Sequence, residues 1–322
     1  MRTALFALAL LCAPAVAWAQ GAAYPSKPIH LVVGFPAGGA TDVAARALAQ
    51  KMSERMGRPM IVDNKPGAAS NIGAEQVAKA AADGYTVLFG TISLSVNHSL
   101  YQKLPYDALK DFAAVTQISS APFLLLVNLK SPIKSVKDLI ALAKSKPGEA
   151  KLQYATAGSG SGTHLFMELF ASMASIQLSP IPYKGSAPAI NDVLGGQVEL
   201  IFDNIITTLP LAKAGRIRAL AVSTAERSKA APDIPTLAEA GVPGYDATSW
   251  FGLFVPTGAP QEIVNRLHSE SVEALKDAKV RDTLLSVGSD PVGSTPRAFA
   301  EFFRAEVEKW ARVVRDAKIR ID

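Results

Sequence analysis

The stretch Gly34–Asp42, GFPAGGATD, decides how the chain begins to fold. It follows Ile29–Val33, an apolar run typical of a buried strand, and it precedes Val43–Met56, where apolar residues recur every four positions as on one face of a helix. The stretch therefore predicts a glycine-rich turn between a strand and a helix. Its first and last glycines have the spacing of a phosphate-binding P-loop, but Ala40 stands where that motif requires lysine. Without the lysine, the first-turn N–H groups of the helix are the donors left for an anion.

The same strand, turn and helix unit repeats along the chain, which predicts an α/β fold with mainly parallel sheets flanked by helices. The predicted strands are Ile29–Phe35, Pro59–Asn64, Tyr85–Gly90, Leu152–Thr156, Ile181–Tyr183, Val198–Asp203 and Arg218–Ser223. The predicted helices are Val43–Met56, Ile72–Ala82, Ser135–Lys144 (ended by Pro147 and Gly148), His164–Ala174, Ala187–Leu194 and Pro296–Ala317. Pro260, like Pro296, is expected just inside a helix start.

A chain of about 300 residues is longer than a single hydrophobic core usually supports, so two domains are expected. Two extended apolar stretches, Ser120–Asn128 and Thr248–Pro256, are the candidates for crossings between them. Two such crossings form a hinge with a cleft between two lobes. We expect lobe 1 to contain residues 20–125 and 249–322, and lobe 2 to contain residues 126–248.

The N-terminus, MRTALFALALLCAPAVAWAQ, has one arginine, an apolar run and a small-x-small site, which predicts a signal peptide over residues 1–19 with cleavage after Ala19. The only cysteine, Cys12, lies within that segment, so the mature protein is expected to lack disulfides and cysteine metal sites. We therefore expect a periplasmic protein. No later stretch is apolar enough to span a membrane, and the basic residues behind the formal charge of +5 are too scattered for a nucleic-acid surface.

A second glycine-rich turn, Tyr154–Leu165 (YATAGSGSGTHL), occupies the same place in its own unit. It lacks the last glycine of a dinucleotide-binding fingerprint, and Gly160 stands where a nucleophile elbow needs serine. Two such turns in two lobes favour a cleft that holds an anion through backbone N–H groups.

Several polar residues near these turns have two interpretations. Asp42 is expected to be a helix-start charge, because a carboxylate aimed at an anion would repel it. The hydroxyl of Thr41 could cap its helix or bind the ligand, and His164 could be structural or face the cleft. Asp203, which ends an apolar strand, could fix a loop or contact a ligand. The other histidines are scattered, so we expect no metal site, and no cofactor is indicated.

Long segments of the chain together resemble one family. They include YPSKPIHLVVGFPAGGATD, VDNKPGAASNIGAEQVAKAAADGYTVLFGT, YATAGSGSGTHL, IPYKGSAPAINDVLGGQVELIFDN and AGRIRALAVSTAERSKAAPDIPTLAEAGVPGYDATSWFGLFVPTGAP. The chain resembles the Bug family, the periplasmic receptors of tripartite tricarboxylate transporters, from about Tyr24 to its C-terminus.

The resemblance implies a two-lobed periplasmic binding protein fold, of the type II kind, that closes on a small carboxylate. It implies ligand contacts from the first turn, from the turn after the third strand, from the second turn and from a strand end. Carried onto this sequence, these residues are Phe35, Ala37, Gly38, Gly39, Thr41, Thr91, Ser93, Thr156, Ser159, Gly160, Ser161, His164 and Asp203. The chain departs from the family pattern at Thr91–Ser93 and Ser161–His164, so the resemblance does not identify the ligand.

Three functions are compatible with these features. The leading hypothesis is a monomeric, non-enzymatic receptor that delivers a small carboxylate to inner-membrane transporter subunits. A ligand-sensing module that docks to a signalling protein would have the same pocket. A hydrolase using Ser159 or Ser161 with His164 is a remote third hypothesis, because the residues are close neighbours along the chain and no nucleophile elbow supports them.

Overall fold

The computed structural model describes residues 24–146 and 151–319. The predicted signal peptide and the predicted helix stop at Pro147 and Gly148 lie outside these residues. The strands are β1 (Ile29–Val33), β2 (Met60–Asn64), β3 (Thr86–Thr91), β4 (Phe112–Ala121), β5 (Phe123–Val127), β6 (Leu152–Thr156), β7 (Leu178–Pro182), β8 (Leu200–Asn204), β9 (Arg218–Val222), β10 (Ser249–Pro256) and β11 (Asp290–Pro291). The helices are α1 (Ala40–Met56), α2 (Asn71–Ala78), α3 (Ile92–Leu100), α4 (Val136–Ser145), α5 (Gly162–Met173), α6 (Ser186–Gly195), α7 (Ile205–Lys213), α8 (Gln261–Ala274), α9 (Ala278–Ser286) and α10 (Pro296–Asp316).

These strands form two sheets, with the orders β11-β4-β10-β3-β1-β2 and β7-β6-β8-β5-β9. In the first sheet β1 to β4 share one direction, and β10 runs against its neighbours β3 and β4. In the second sheet β6 to β9 share one direction, and β5 runs against β8 and β9. The predicted α/β class is therefore confirmed. In each sheet the strand that follows a crossing from the other sheet, β5 or β10, runs antiparallel to its neighbours.

The two predicted crossing stretches are where the chain changes sheets. Strand β4 ends at Ala121 in the first sheet and β5 begins at Phe123 in the second, with only Pro122 between them. The return occurs between β9 and β10. The predicted lobe boundary after residue 125 would fall inside β5, so the sheets divide the chain at Pro122 instead. The wider assignment of residues to two lobes stays a prediction.

The C-terminal helix α10 packs against both sheets. Its apolar face, formed by Phe299, Phe303, Val307 and Trp310, is buried. Phe299 and Phe303 lie against Phe254 of β10, with ring centroids 4.9 Å away in each case. Further along the helix, Trp310 stacks on Phe166 of α5 at 5.5 Å and an interplanar angle of 7°. One continuous helix therefore joins the cores of the two sheets.

The sequence prediction missed some helices and misplaced the ends of others. The predicted second helix, Ile72–Ala82, ends at Ala78, and α1 begins at Ala40, before its apolar periodicity starts. Helices α3, α7 and α9 were not predicted. Helix α3 is rich in serine and α7 contains Pro210, which gives both a weak helix propensity. Packing against the sheets and caps at Thr91 and Asn204 compensate for that weakness.

Candidate functional site

The first glycine turn connects β1 to α1 and is open to solvent. Residues 36–40 are exposed, while Phe35 and Thr41 are half-buried. Gly38 has a φ of 84°, a left-handed conformation that favours glycine. Gly39 is the N-cap residue of α1 and is extended, and no side chain caps the helix. The start of α1 is therefore left without the capping side chain that would otherwise compete with a ligand.

A buried carboxylate holds this turn in shape. Asp42 is 2 % exposed and accepts hydrogen bonds from the Gly38 N–H at 2.8 Å, from Arg46 Nε at 2.9 Å and from Asn64 Nδ2 at 2.9 Å. The Asn64 amide also donates to the Phe35 carbonyl at 3.0 Å. Burial pushes the pKa of Asp42 up, but the hydrogen bonds from Arg46, Gly38 and Asn64 outweigh it and lower that pKa below its usual value. Asp42 is thus the helix-start charge expected from the sequence, and it also fixes the turn.

Sequence reasoning did not assign a role to Asn64. It ends β2, which pairs with β1 in parallel, so its side chain emerges at the same sheet edge as the turn. A polar residue closing a strand next to a glycine turn is the signal that could have identified it.

The third predicted segment begins α3 beside the first turn. Thr91 ends β3, which pairs with β1, and its hydroxyl accepts the Ser93 N–H at 3.3 Å as a helix cap. Thr91 is buried and Ser93 is half-buried. Ile92, between them, packs against buried clusters of both sheets. The start of α3 therefore lies where the two sheets approach each other.

In the second glycine turn, the predicted residues hold the loop's own backbone. The Ser161 hydroxyl donates to the Gly158 carbonyl at 2.6 Å and caps α5. The Thr156 hydroxyl accepts the Gly158 N–H at 3.0 Å, and His164 Nδ1 accepts the Gly160 N–H at 3.0 Å. These bonds shape the turn from within, whereas Ser159 at its tip is exposed.

His164 is a neutral, buried histidine. It is 7 % exposed, and burial lowers its pKa to about 4. Because Nδ1 accepts the Gly160 N–H, the ring proton resides on Nε2, which lies 3.9 Å from Glu168 Oε1. The Ser161 hydroxyl contacts the Gly158 carbonyl and Thr163 Oγ1 rather than the imidazole. The ring therefore does not stand as a base next to the serine.

Asp203 lies one residue before the end of β8, which ends at Asn204 rather than at Asp203 as predicted, and it is at the same edge of the second sheet. It is 2 % exposed, and its Oδ1 accepts the Asn204 N–H at 2.6 Å. Its Oδ2 is buried and has no hydrogen-bond partner within residues 24–146 and 151–319. Burial raises the pKa of Asp203, and the nearby Ser186 hydroxyl and the hydrogen bond from the Asn204 N–H only partly offset this. A buried carboxylate oxygen of this kind needs a partner, such as a ligand or a bridging water.

Both sets of predicted residues lie next to the crossings. Phe251, near the start of β10, pairs with Thr91. Phe123, the first residue of β5, lies next to Gly162 at the start of α5, since a Cβ added to Gly162 would be 3.4 Å from the Phe123 ring. Each sheet therefore presents its candidate ligand residues at its carboxyl edge and beside the hinge. Contact with a ligand stays a prediction for each of these residues.

A family model described as the tripartite tricarboxylate transporter family receptor matches residues 44–319. The chain belongs to this receptor family. It is 38 % identical over 300 residues to the protein BugT of Bordetella pertussis, an alignment that covers 92 % of this chain and 91 % of BugT. The family resemblance and the two-lobed fold expected from the sequence are therefore confirmed.

Solved structures agree with this membership. The receptor superposes on Rpa4515 of R. palustris, solved with adipate, with a TM-score of 0.75 and 40 % identity, covering 92 % of this chain and all of that one. It superposes on MatC of Rhodopseudomonas palustris, solved with bound malate, with a TM-score of 0.72 and 32 % identity, covering 90 % and 100 % of the chains. Within the described residues, no helix is both long and apolar enough to cross a membrane.

Proposed function

We propose that this protein is a periplasmic receptor that binds a small organic carboxylate between its two sheets and delivers it to the membrane subunits of a tripartite transporter. The observation that carries the proposal is the pair of glycine turns, each opening a helix at the carboxyl edge of its own sheet. Both helix starts present a positive dipole end to an anion, and the uncapped start of α1 also offers it backbone N–H groups. The family membership and the relatives solved with adipate and malate support the same ligand class.

The chemistry of the two turns suits a cargo that must be released. The turns themselves, residues 34–41 and 157–164, contain no lysine or arginine. Neutral N–H and hydroxyl donors form weaker hydrogen bonds to a carboxylate than a buried cation would. Contacts from both lobes favour the closed state, whereas contacts from one lobe favour it far less. Release therefore requires only that the lobes separate.

The proposed receptor is not an enzyme. A hydrolase would need a base in contact with its serine, but His164 Nδ1 is occupied by the Gly160 N–H. We expect no turnover of generic esters, and we expect Ser161→Ala to have no effect on any trace hydrolysis. Ester turnover that disappears in that variant would instead support an enzyme.

Calorimetric titration with adipate, malate and an aromatic monocarboxylate tests the binding proposal. Gly38→Ala changes the first turn, and Gly215→Ala is its matched control in a turn after α7. Both glycines have positive φ, 84° and 65°, and neither has an atom within 4 Å of an added Cβ. Both variants should therefore lose a similar amount of stability, and only Gly38→Ala should bind more weakly.

Failure of the wild type to bind any of these acids, together with an empty protein in native mass spectrometry, would refute the proposed function. Delivery is tested separately, by affinity capture from membranes with the ligand-saturated protein. Recovery of transporter subunits supports delivery, and recovery of a signalling protein alone would favour sensing. Light scattering should give the mass of a monomer.

A further inference from the structure

The segment between β2 and α2 has a strained backbone. Ala68, Ala69 and Ser70 have φ values of 46°, 52° and 79°, and they follow Gly67 at 131°. The left-handed region is unfavourable for residues with a Cβ, and three in succession are unusual. Elsewhere in the described chain, non-glycine residues with positive φ occur singly. Such strain persists only where surrounding contacts impose it, and it concentrates at functional sites.

A buried polar network imposes this conformation. Asn97 Nδ2 in α3 donates to the Ala69 carbonyl at 2.7 Å and to Asn71 Oδ1 at 2.8 Å. The Tyr106 hydroxyl donates to the same Asn71 oxygen at 2.6 Å. Asn71 and Asn97 are 5 % and 2 % exposed. The strained segment is therefore fixed to α3, the helix whose first turn carries Thr91 and Ser93.

Ser70 also lies directly against the first glycine turn. A Cβ on Gly34 would overlap the Ser70 hydroxyl, so this side chain fills the space that Gly34 leaves open. Ser70 immediately precedes α2, where serine usually caps a helix, yet its hydroxyl makes no capping hydrogen bond. The Ser70 hydroxyl therefore lies against Gly34, the first residue of the first glycine turn, instead of capping its own helix.

We propose that Gly67–Ser70 is an additional ligand-positioning segment and that the Ser70 hydroxyl donates a hydrogen bond to the ligand carboxylate, directly or through one bridging water. This inference rests on the proposed carboxylate-receptor function. The sheet order supports it, because β2, β1 and β3 are neighbours and the segments that follow them meet at one edge. The turn at Gly34, the start of α3 and Ser70 then surround one end of the ligand.

Two substitutions at this position separate binding from strain. Ser70→Ala keeps the Cβ that packs on Gly34 and removes only the hydroxyl. Ser70→Gly also removes the left-handed strain. Ser175 is the matched control, because it is an exposed serine with a φ of 52° in the turn after α5. Both Ser70→Gly and Ser175→Gly should raise Tm, by about 2 °C or more.

Titration with adipate and malate should separate the two positions. Both Ser70 variants should weaken binding by about tenfold, the effect of losing one hydrogen bond to a charged acceptor, and Ser175→Gly should bind like the wild type. Unchanged affinity in Ser70→Ala, while the wild type binds, would overturn the inference alone. A wild type that binds none of the acids and is empty in native mass spectrometry would overturn the proposed function, and this inference with it. A ligand-bound structure with Ser70 Oγ beyond hydrogen-bond reach of the ligand and of every bridging water would also overturn the inference.

Discussion

Replacing Asp42 by alanine should destabilise the protein and loosen the first turn. The carboxylate is 3 % exposed and accepts three hydrogen bonds. Hydrogen bonds to charged groups are worth about 1.5–3 kcal/mol each. In the variant, water can form hydrogen bonds with the exposed Gly38 N–H and with Arg46, which is 52 % exposed, and so recover much of this energy. It recovers less at Asn64, which is only partly exposed. We therefore expect a loss of about 2–4 kcal/mol in the free energy of unfolding, or about 4–8 °C in Tm for a chain of this size.

The loss should depend on pH in a defined direction. The folded-state pKa of Asp42 is lowered from its ordinary value of 3.8. Its contribution to stability is therefore complete above that value and disappears as the pH falls through the lower folded pKa. Denaturant unfolding should show the same difference between wild type and Asp42→Ala at about pH 7 and about pH 5, and a smaller difference at about pH 3.

The control for this experiment is Asp282→Ala, which removes an exposed carboxylate from the middle of α9. It should change stability by no more than about 0.5 kcal/mol. Two results would refute the reasoning about Asp42: a variant as stable as the wild type at neutral pH, or a stability difference that is as large in acid as at neutral pH.

Three further changes test other parts of the fold. Gly252→Ala should cost about 1–3 kcal/mol, because its Cβ would overlap the buried Phe299 ring. Burial lowers the pKa of His164 to about 4. Because an unfolded-state histidine binds a proton near pH 6.5, the free energy of unfolding of the wild type should fall by up to about 3 kcal/mol between about pH 6.5 and about pH 4. His164→Gln should not show this fall. Trp310→Ala should cost about 3–5 kcal/mol in the free energy of unfolding by removing the stack on Phe166. Trp310→Phe keeps a ring on Phe166 but loses the hydrogen bond to Glu306, so it should cost about 1.5–3 kcal/mol. Denaturant unfolding measures all three.

Each of these predictions has an opposing result. Gly195→Ala, whose Cβ would meet no atom closer than 4.0 Å, is the control for Gly252→Ala, and equal stability losses would argue against the steric explanation. A parallel pH dependence in His164→Gln and the wild type would show that the histidine is not the titrating group. If Trp310→Ala were as stable as Trp310→Phe, α10 would not join the two cores through this ring.

Local patterns in the sequence determined much of the fold and the general nature of the site. Apolar periodicity located the repeated strands and helices, the long segments identified the family, and the crossings at Ser120–Asn128 and Thr248–Pro256 were predicted from their extended apolar character. These features are local, because strand and helix periodicity, turn chemistry and helix caps depend on residues close together in the chain.

Only the tertiary structure decided which side chains hold the two turns. The sequence placed Asn64 and Ser70 in a different unit from the first turn, and it left His164 open between a structural and a ligand role. Strand pairing brings Asn64 to Asp42, helix packing brings Ser70 to Gly34, and burial makes His164 a neutral acceptor for the Gly160 N–H. The reason is physical: the partners of a buried hydrogen bond are set by which elements pack together, and in the first turn those partners lie 22 and 29 residues apart in the chain.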